Sequence, residues 1–446
     1  MLFTQFVDND LGCASYLVGD EDAGVAAVVD PAYAIEQYLA EAQRHDVRIV
    51  RTIETHTHAD HLSGHGRLAL EHGVPISIHP AAEVAYEHDA LEDGTEIELG
   101  DVVLRSVHTP GHRPEHSCLA VIDTTRASEP WLVLTGDSLF VGDAARPDLA
   151  VAAREGAEGL FHSLRRLLEL SDGVEVFPGH VAGSMCGKSM SSKASTTIGF
   201  ERRFNASLAF DNLEAFVADS ASISAAKPPN VARVVDLNRG PFVPAGPDVP
   251  ELAAPAQDAQ LLDVRALDDF LAGHRHGAVN VPVDGTSFAT KAGFVFDPEQ
   301  PLTVAASDED EAARALRGLR SVGFLDFHGV VLGSGDERIE PVRIEELQTL
   351  LDQGAELIDV REQDERDTGY IAGSRNVPYR LLAICGPDLP GDRTLVTICE
   401  SGARAAVAAS VLAARGFDAR PVVHGGITDW IADGRPAVSF RRCGSD

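Results

Sequence analysis

Hydrophobic positions fall in short, closely spaced runs through the first half of the chain. Alternating or β-branched apolar residues over 2–7, 15–19 and 25–30 predict strands broken by N-D and G-D turns. Residues 32–45 carry apolar side chains at helical spacing, and the β-branched run 47–53 follows as a strand. The alternation then predicts a helix over 62–72, a strand over 74–78, a helix over 81–88 and strands over 95–99 and 102–107. W-L-V-L-T-G and V-E-V-F-P read as two more buried strands, and a helix over 209–218 closes the region. Strands joined by hairpins or single helices in this order predict two sheets wrapped by helices.

The pattern changes at 226–250, where A-K-P-P-N and N-R-G-P-F-V-P-A-G-P-D-V-P predict an extended connector, because closely spaced prolines suit neither a helix interior nor a central strand. Beyond it the chain repeats. L-L-D-V-R-A-L-D-D-F-L-A-G-H-R-H-G-A-V-N-V-P (261–282) aligns without gaps to L-I-D-V-R-E-Q-D-E-R-D-T-G-Y-I-A-G-S-R-N-V-P (357–378), at an offset of 96 residues. That is the span of one small α/β domain, and each copy continues with a strand, a helix and a Gly-Phe turn. The expected organisation is a first domain over 1–224, a proline-rich linker over 225–252, and two repeated domains over 253–337 and 338–446. A chain of 446 residues accords with about three domains.

A formal net charge of −32 argues against nucleic acid or an anionic membrane surface as partner. No stretch approaches the ~20 apolar residues that span a bilayer, and the first ten residues have neither a basic nor an apolar leader segment, so the expectation is a cytoplasmic protein. The six cysteines form no C-x-x-C pair, which fits neither a disulfide framework nor a thiolate zinc site and leaves the role of a lone reactive thiol. Assembly as a homo-oligomer stays open.

Candidate chemistry gathers at strand ends. T-H-T-H-A-D-H follows the strand over 47–53 and offers His56, His58, Asp60 and His61 from one loop, with His56 and His58 on one face of an extended segment. H-T-P-G-H turns tightly to present His112, G-D delivers Asp137 after an apolar strand, and P-G-H places His180. His108 and His116 read as neighbours of the ligands or ordinary core histidines ahead of a ligand role. This constellation resembles the metallo-β-lactamase superfamily, which implies an αββα sandwich with metal at one edge. Residues 136–149 and 178–205 further resemble the persulfide dioxygenase branch fused to rhodanese domains. That resemblance implies one Fe(II) per chain on His56, His112 and Asp137, with His58, Asp60, His61 and His180 around them or holding a second metal, as in the related glyoxalase II thioester hydrolases. The S-M-C-G-K segment concentrates Cys186, Lys188 and Lys193 ahead of Arg202 and Arg203, a basic patch suited to the carboxylates of a small thiol or to departing sulfite. Cys186 is either a buried structural thiol or a handler of persulfide.

Both repeated copies resemble rhodanese domains, α/β units built on parallel sheets. In the second, T-L-V-T-I-C-E-S-G-A-R-A runs from a buried strand through a loop into a helix starting near Ala403, so loop amides and a helix N-terminus converge on Cys399. The match to C-x-x-G-x-R implies Cys399 as sulfur-accepting nucleophile and Arg404 as anion binder. In the first copy Ala306 takes the cysteine position and Asp308, Glu309, Asp310 and Glu311 follow, so this copy is expected to be inactive. Asp359 and Arg361, with Asp263 and Arg265, read as ion pairs. The resemblances together imply oxidation of a thiol persulfide by dioxygen to sulfite, coupled to sulfur transfer with thiosulfate at Cys399. The alternatives are a dinuclear zinc thioesterase with a sulfurtransferase tail, and a non-turnover sulfur carrier.

Overall fold

The computed structural model describes residues 1–148, 150–181, 191, 193–220, 229–385 and 389–439. The chain divides into two compact units, Met1–Gly246 with Arg320–Gly323, and Pro247–Leu319 with Phe324–Asp446. In the first, strands β1 (Leu2–Val7), β2 (Ala14–Asp20), β3 (Val25–Val29), β4 (Arg48–Ile53), β5 (Ile76–Ile78) and β6 (Asp89–Ala90) form a sheet in sequence order. It is antiparallel up to β3 and parallel beyond. The chain continues as β7 (Glu96–Leu99), β8 (Val102–His108), β9 (Ser117–Asp123), β10 (Leu132–Gly136), the ribbon β11 (Leu139–Phe140) and β12 (Asp143–Ala144), then β13 (Glu175–Pro178) and β14 (Thr196–Thr197). Apart from the ribbon, these strands make a second sheet of order β14-β13-β10-β9-β8-β7.

Side-chain alternation builds the layers. Tyr16, Val18, Ala27, Val29 and Ile53 of the first sheet meet Leu104, Leu119, Val121, Leu132 and Leu134 of the second in a shared core. Leu17, Ala26 and Val28 point the other way, onto Ile35, Tyr38 and Ala42 at helix Glu36–Arg44 and onto Leu68 of helix His65–His72. On the outer face of the second sheet Val133 and Val176 pack against Leu160 and Leu164 of helix Ala153–Leu167, with Phe216. The result is an αββα sandwich, and each fully buried aliphatic side chain contributes about 1.5–3 kcal/mol to it.

Two predicted elements are overturned. Residues 81–88 form no helix: a single turn, Pro80–Ala82, ends at Glu83 in the left-handed region (φ 53°), and the chain returns as β6. Tyr86 lies 4.7 Å from the Phe242 ring and 5.1 Å from His65, and the Ala85 N–H donates to the Arg239 carbonyl, so packing outweighs a helical preference worth only tenths of a kcal/mol per residue. The expected extended connector contains a helix, Val231–Arg239, because the prolines flank this stretch without interrupting it. That helix bears on the loop that carries His56, His58 and His61. Buried Asn238 donates Nδ2 to the carbonyls of His58 (3.0 Å) and His61 (2.8 Å), and its Oδ1 accepts from the Ser63 N–H (2.8 Å).

The second unit contains two four-stranded parallel sheets of the same order. The first has β15 (Gln260–Asp263), β16 (Val279–Asn280), β17 (Leu302–Ala306) and β18 (Phe327–Leu332), arranged β16-β15-β17-β18. Its repeat has β19 (Glu356–Asp359), β20 (Arg375–Asn376), β21 (Leu395–Ile398) and β22 (Ala419–Pro421), arranged β20-β19-β21-β22. Asp263 pairs with Asn280 and Ala305 as Asp359 pairs with Asn376 and Ile398. The recurring D-V-R and N-V-P motifs have a shared use. Arg265 closes on Asp263 at 2.6 Å and Arg361 on Asp359 at 2.9 Å. Asn280 and Asn376 each donate to the carbonyls of the Asp and Arg of their own motif, at 2.8–3.0 Å.

Replacing Asn238 with alanine leaves two buried carbonyls and one N–H of the metal loop without partners, and should lower the stability of the first unit by about 2–3 kcal/mol. Urea unfolding followed by tryptic fragmentation of the first unit measures this, with an unchanged midpoint as the contrary result.

Candidate metal centre and sulfur loop

Four strand ends of the sandwich meet at one edge. β4 runs into the loop bearing His56, β8 into the Pro-Gly turn bearing His112, and the parallel neighbours β10 and β13 end in register at Gly136 and Pro178, so Asp137 and His180 emerge side by side. Gly136 has φ +46°, and a Cβ there would meet both Thr55 Oγ1 and His116 Nε2 at 2.7 Å, so glycine is what lets the turn close. Ligand atoms of His56, His112 and Asp137 lie within 4.8 Å of one another, and all three residues are buried.

Their remaining polar atoms are fixed by the protein. His112 donates Nδ1–H to the Arg146 carbonyl at 3.0 Å, which leaves Nε2 facing Asp137 Oδ2 at 3.5 Å. Asp30 accepts from both the N–H (2.7 Å) and hydroxyl (2.8 Å) of Thr55, whose oxygen then accepts from His56 Nδ1 (2.9 Å) and frees the His56 Nε2. Burial pushes both imidazoles below their ordinary range, and nearby His58 adds to this at His56. Neutral rings with an unprotonated Nε2 are the form a metal requires. Burial would raise the Asp137 carboxyl, but His180, donating Nδ1–H to its Oδ1 at 2.6 Å, outweighs that and holds it at about 2. Two neutral imidazoles and one carboxylate thus converge, the donor set that suits non-heme iron with open positions. His58 differs: burial would lower its ring, but the Asp30 and Glu54 carboxylates beside Nε2 outweigh that and push it well above the ordinary range, so it does not share the neutral state of the other two.

The other predicted residues divide. The sequence expectation that His56 and His58 share one face gives way to a bent loop, in which the two rings lie 4.3 Å apart and His58 Nε2 sits 3.2 Å from both Asp30 and Glu54. His180 Nε2 reaches Asp60 Oδ2 at 2.7 Å, and Asp60 Oδ1 lies 3.2 Å from His61 Nδ1. A residue with no spacing signal joins them: Cys13 donates its thiol to Asp60 Oδ2 (3.1 Å) and lies 3.3 Å from His180 Nε2 and 3.5 Å from His61 Nδ1. Backbone pairing of residues 12–14 with 179–181 brings it there, and burial with the Asp60 charge keeps the thiol protonated. His116 is a buried neighbour of the ligands, its ring 5.3 Å from His56, and burial lowers it to about 3. His108 stacks on His79. Arg202, expected to bind substrate, directs its guanidinium to Asp172 and the Leu168 and Leu170 carbonyls, which fastens helix Ile198–Phe204 to the preceding turn. Cys186 and Lys188 lie outside the described residues.

In the second unit Cys399 follows β21 and is buried, and its sulfur accepts the Gly402 N–H at 3.1 Å just ahead of helix Ala403–Ala414. Gly402 has φ +101°, and its left-handed turn aims that amide at the sulfur. Arg404, the expected anion binder, is held by a carboxylate of the protein. It makes a bidentate pair with Glu365, at 2.6 and 2.6 Å. In the first copy Ala306 stands one residue past the partner of Asp263, as Cys399 does past the partner of Asp359. There the Ser307 N–H donates to Glu311 Oε2 at 2.5 Å, so a carboxylate takes the amide at the loop's start.

Residues 8–180 match the family model of the metallo-beta-lactamase superfamily and residues 343–433 that of the rhodanese-like domain. An uncharacterized protein of Mycobacterium leprae is 31% identical over 234 residues, spanning 46% of this chain and 97% of its own length. The chain belongs to the metallo-beta-lactamase superfamily. It carries a rhodanese domain in addition. Within the superfamily, a cytoplasmic hydroxyacylglutathione hydrolase of Arabidopsis thaliana is 33% identical over 170 residues (37% of this chain, 62% of its own). A mitochondrial persulfide dioxygenase of Bos taurus is 27% identical over 168 residues (37% and 63%). The crystal structure of a metallo-beta-lactamase from Staphylococcus aureus subsp. aureus COL superposes with a TM-score of 0.69 at 27% identity, over 74% of this chain and 99% of that one.

His112→Ala and Asp137→Ala should each lose bound metal. His180→Ala should retain one equivalent with affinity lowered about 10–100-fold, because His180 acts by orienting Asp137. Elemental analysis after equilibrium dialysis separates these outcomes, and full retention in His112→Ala would remove that residue from the ligand set. Ala306→Cys should remain unable to accept sulfur, since Glu311 already occupies the loop, and sulfur uptake at residue 306 found by peptide mass mapping would refute this.

Proposed function

We propose that the first domain oxidises a low-molecular-weight thiol persulfide to sulfite at a single Fe(II) held by His56, His112 and Asp137, and that Cys399 of the rhodanese domain carries sulfane sulfur in the same chain. The observation that carries this reading is the three-residue donor set, in which every second polar atom is already fixed by Arg146, Thr55 or His180. Two histidines and one carboxylate would hold an iron with positions left open for dioxygen and a sulfur ligand, and an iron held there would supply the redox chemistry that activates dioxygen. The overall reaction balances as R-S-SH plus dioxygen and water giving R-SH, sulfite and two protons.

This chain's own residues prepare the site. The Asp30–Thr55 contact and the Arg146 carbonyl keep both imidazoles neutral and turned inward, so no proton has to leave a ligand before the metal binds. His180, set between Asp137 and Asp60, links the buried carboxylate to a partly exposed one (29% side-chain exposure), a path by which protons released in the reaction reach solvent. Likeness to a persulfide dioxygenase and a rhodanese domain in one chain supports sulfur chemistry at both sites. We also propose the first repeated copy, residues 253–337, as an inactive rhodanese-like domain.

A second reading, a dinuclear zinc thioesterase, draws on the cluster of Cys13, Asp60 and His61 and on likeness to a hydroxyacylglutathione hydrolase. In the structure Asp60, His180 and Cys13 already satisfy one another by hydrogen bonds, which favours one metal. Purified protein should contain one iron per chain and take up oxygen when a thiol persulfide is added. Two zincs per chain with thioester hydrolysis and no oxygen uptake would establish the rival. Cys399→Ser should abolish sulfur transfer while leaving persulfide-dependent oxygen uptake in place, because a hydroxyl cannot form the sulfur-sulfur bond. Transfer that survives the substitution would move the acceptor to another cysteine.

A further inference from the structure

The loop around Cys399 lacks what a dianion needs. Arg404 is neutralised by Glu365 in a bidentate pair, and Arg361 is buried against Asp359. Glu400 follows the cysteine directly and is half exposed, held on one side by Arg361 Nη1 at 3.4 Å and on the other by the Thr428 hydroxyl. Its backbone is fixed as well, since a Cβ at Gly426 would lie 2.2 Å from the Glu400 carbonyl, so the β22 loop packs directly on the sulfur loop. Among the described residues Arg366 also holds Asp359, at 3.1 Å, so Arg361, Arg366 and Arg404 are balanced by Asp359, Glu365 and Glu400, and the acid beside the nucleophile stays in contact with solvent. A dianionic donor approaching Cys399 thus meets, among the described residues, no surplus positive charge and a half-exposed carboxylate next to the sulfur.

We infer that Glu400, with Glu365 holding Arg404, selects the sulfur donor of Cys399: thiol persulfides are accepted and thiosulfate is disfavoured. This rests on Cys399 being the sulfur acceptor proposed above. In the step, the Cys399 thiolate attacks the terminal sulfur of R-S-SH, the new Cys399 sulfur-sulfur bond forms as the donor's breaks, and R-S⁻ departs with the bonding pair. R-S⁻ then takes the proton from the transferred sulfur, leaving the persulfide anion on Cys399 beside the Gly402 amide. No oxidant or reductant is consumed. The leaving group bears at most one negative charge at the sulfur, whereas thiosulfate must bring its dianion to the same carboxylate and expel sulfite there. Like charges at this range favour the persulfide by about tenfold.

The test uses the full chain without oxygen, so that the first domain consumes no donor. Sulfur addition at Cys399 is timed by peptide mass mapping with thiosulfate and, separately, with glutathione persulfide. Intrinsic reactivity of the two donors cancels when their rate ratio is compared between variants. Glu400→Gln and Glu365→Gln should each shift that ratio towards thiosulfate, by about tenfold for Glu400→Gln, and Glu400→Asp should restore the parent ratio. High salt should shrink the effect of Glu400→Gln, as it screens an exposed charge. An unchanged ratio in both glutamine variants, or a parent protein whose ratio is insensitive to salt, overturns the inference. If neither donor adds sulfur to Cys399 in the parent, the acceptor assignment itself fails and the selection falls with it.

Discussion

Asp30 is buried at the end of β3, and a desolvated carboxylate there is tolerable only if its oxygens are fully engaged. It takes the Thr55 N–H and hydroxyl, and lies 3.2 Å from His58 Nε2. Charge-assisted bonds of this kind contribute about 1.5–3 kcal/mol each. Together they pin a loop that has neither helix nor sheet to hold it. The same loop's Glu54 accepts from the Ser63 hydroxyl at 2.6 Å and faces His65 at 3.1 Å, so its second acidic group is anchored as well. Positioning of His56 follows from this pairing: the Thr55 hydroxyl, committed to Asp30 as donor, has only an acceptor left for the ring.

Between the two sheets the site is organised by a row of polar groups, Asp137 and His180 from the second and Asp60 and Cys13 from the first, each in contact with the next. In this row a hydrogen bond holds each pair at 2.6–3.1 Å. A second ion would have to displace those protons and deprotonate a thiol that burial and Asp60 both hold protonated. The first ligand set faces no such competition, since its inward nitrogens are already bare. Nuclearity therefore turns on protonation more than on which ligand types are present.

Much of the fold and the convergence of His56, His112 and Asp137 were legible because each sits where a strong local rule applies. A β-branched run ends, a glycine or Pro-Gly turn follows, and a histidine or aspartate is delivered at the strand's end. Likewise the 96-residue repeat returned as matching strand register, because the Asn and Asp-Arg motifs fix the chain in both copies. What escaped depends on contacts between residues distant in sequence. Asn238 belongs to a stretch whose flanking prolines suggested extension, yet its amide closes the loop carrying His58 and His61. Cys13 reaches the site through strand pairing with residue 180, which no spacing encodes. Residues 81–88 have helical composition but pack on Phe242.

The two sheets of the second unit show how one scaffold separates binding from chemistry. Both loops begin at the residue after a strand partner of the motif aspartate, and both end in a helix, so the backbone positions are equivalent. In one, the amide near the loop's start is taken by the protein's own Glu311; in the other, a glycine turn points its amide at Cys399. An internal carboxylate and an incoming sulfur anion make the same demand on a loop amide. The two amides differ in place, Ser307 one residue past Ala306 and Gly402 three past Cys399, so the same backbone offers donors at both ends of the loop, and beside Cys399 the Arg404 charge is tied to Glu365.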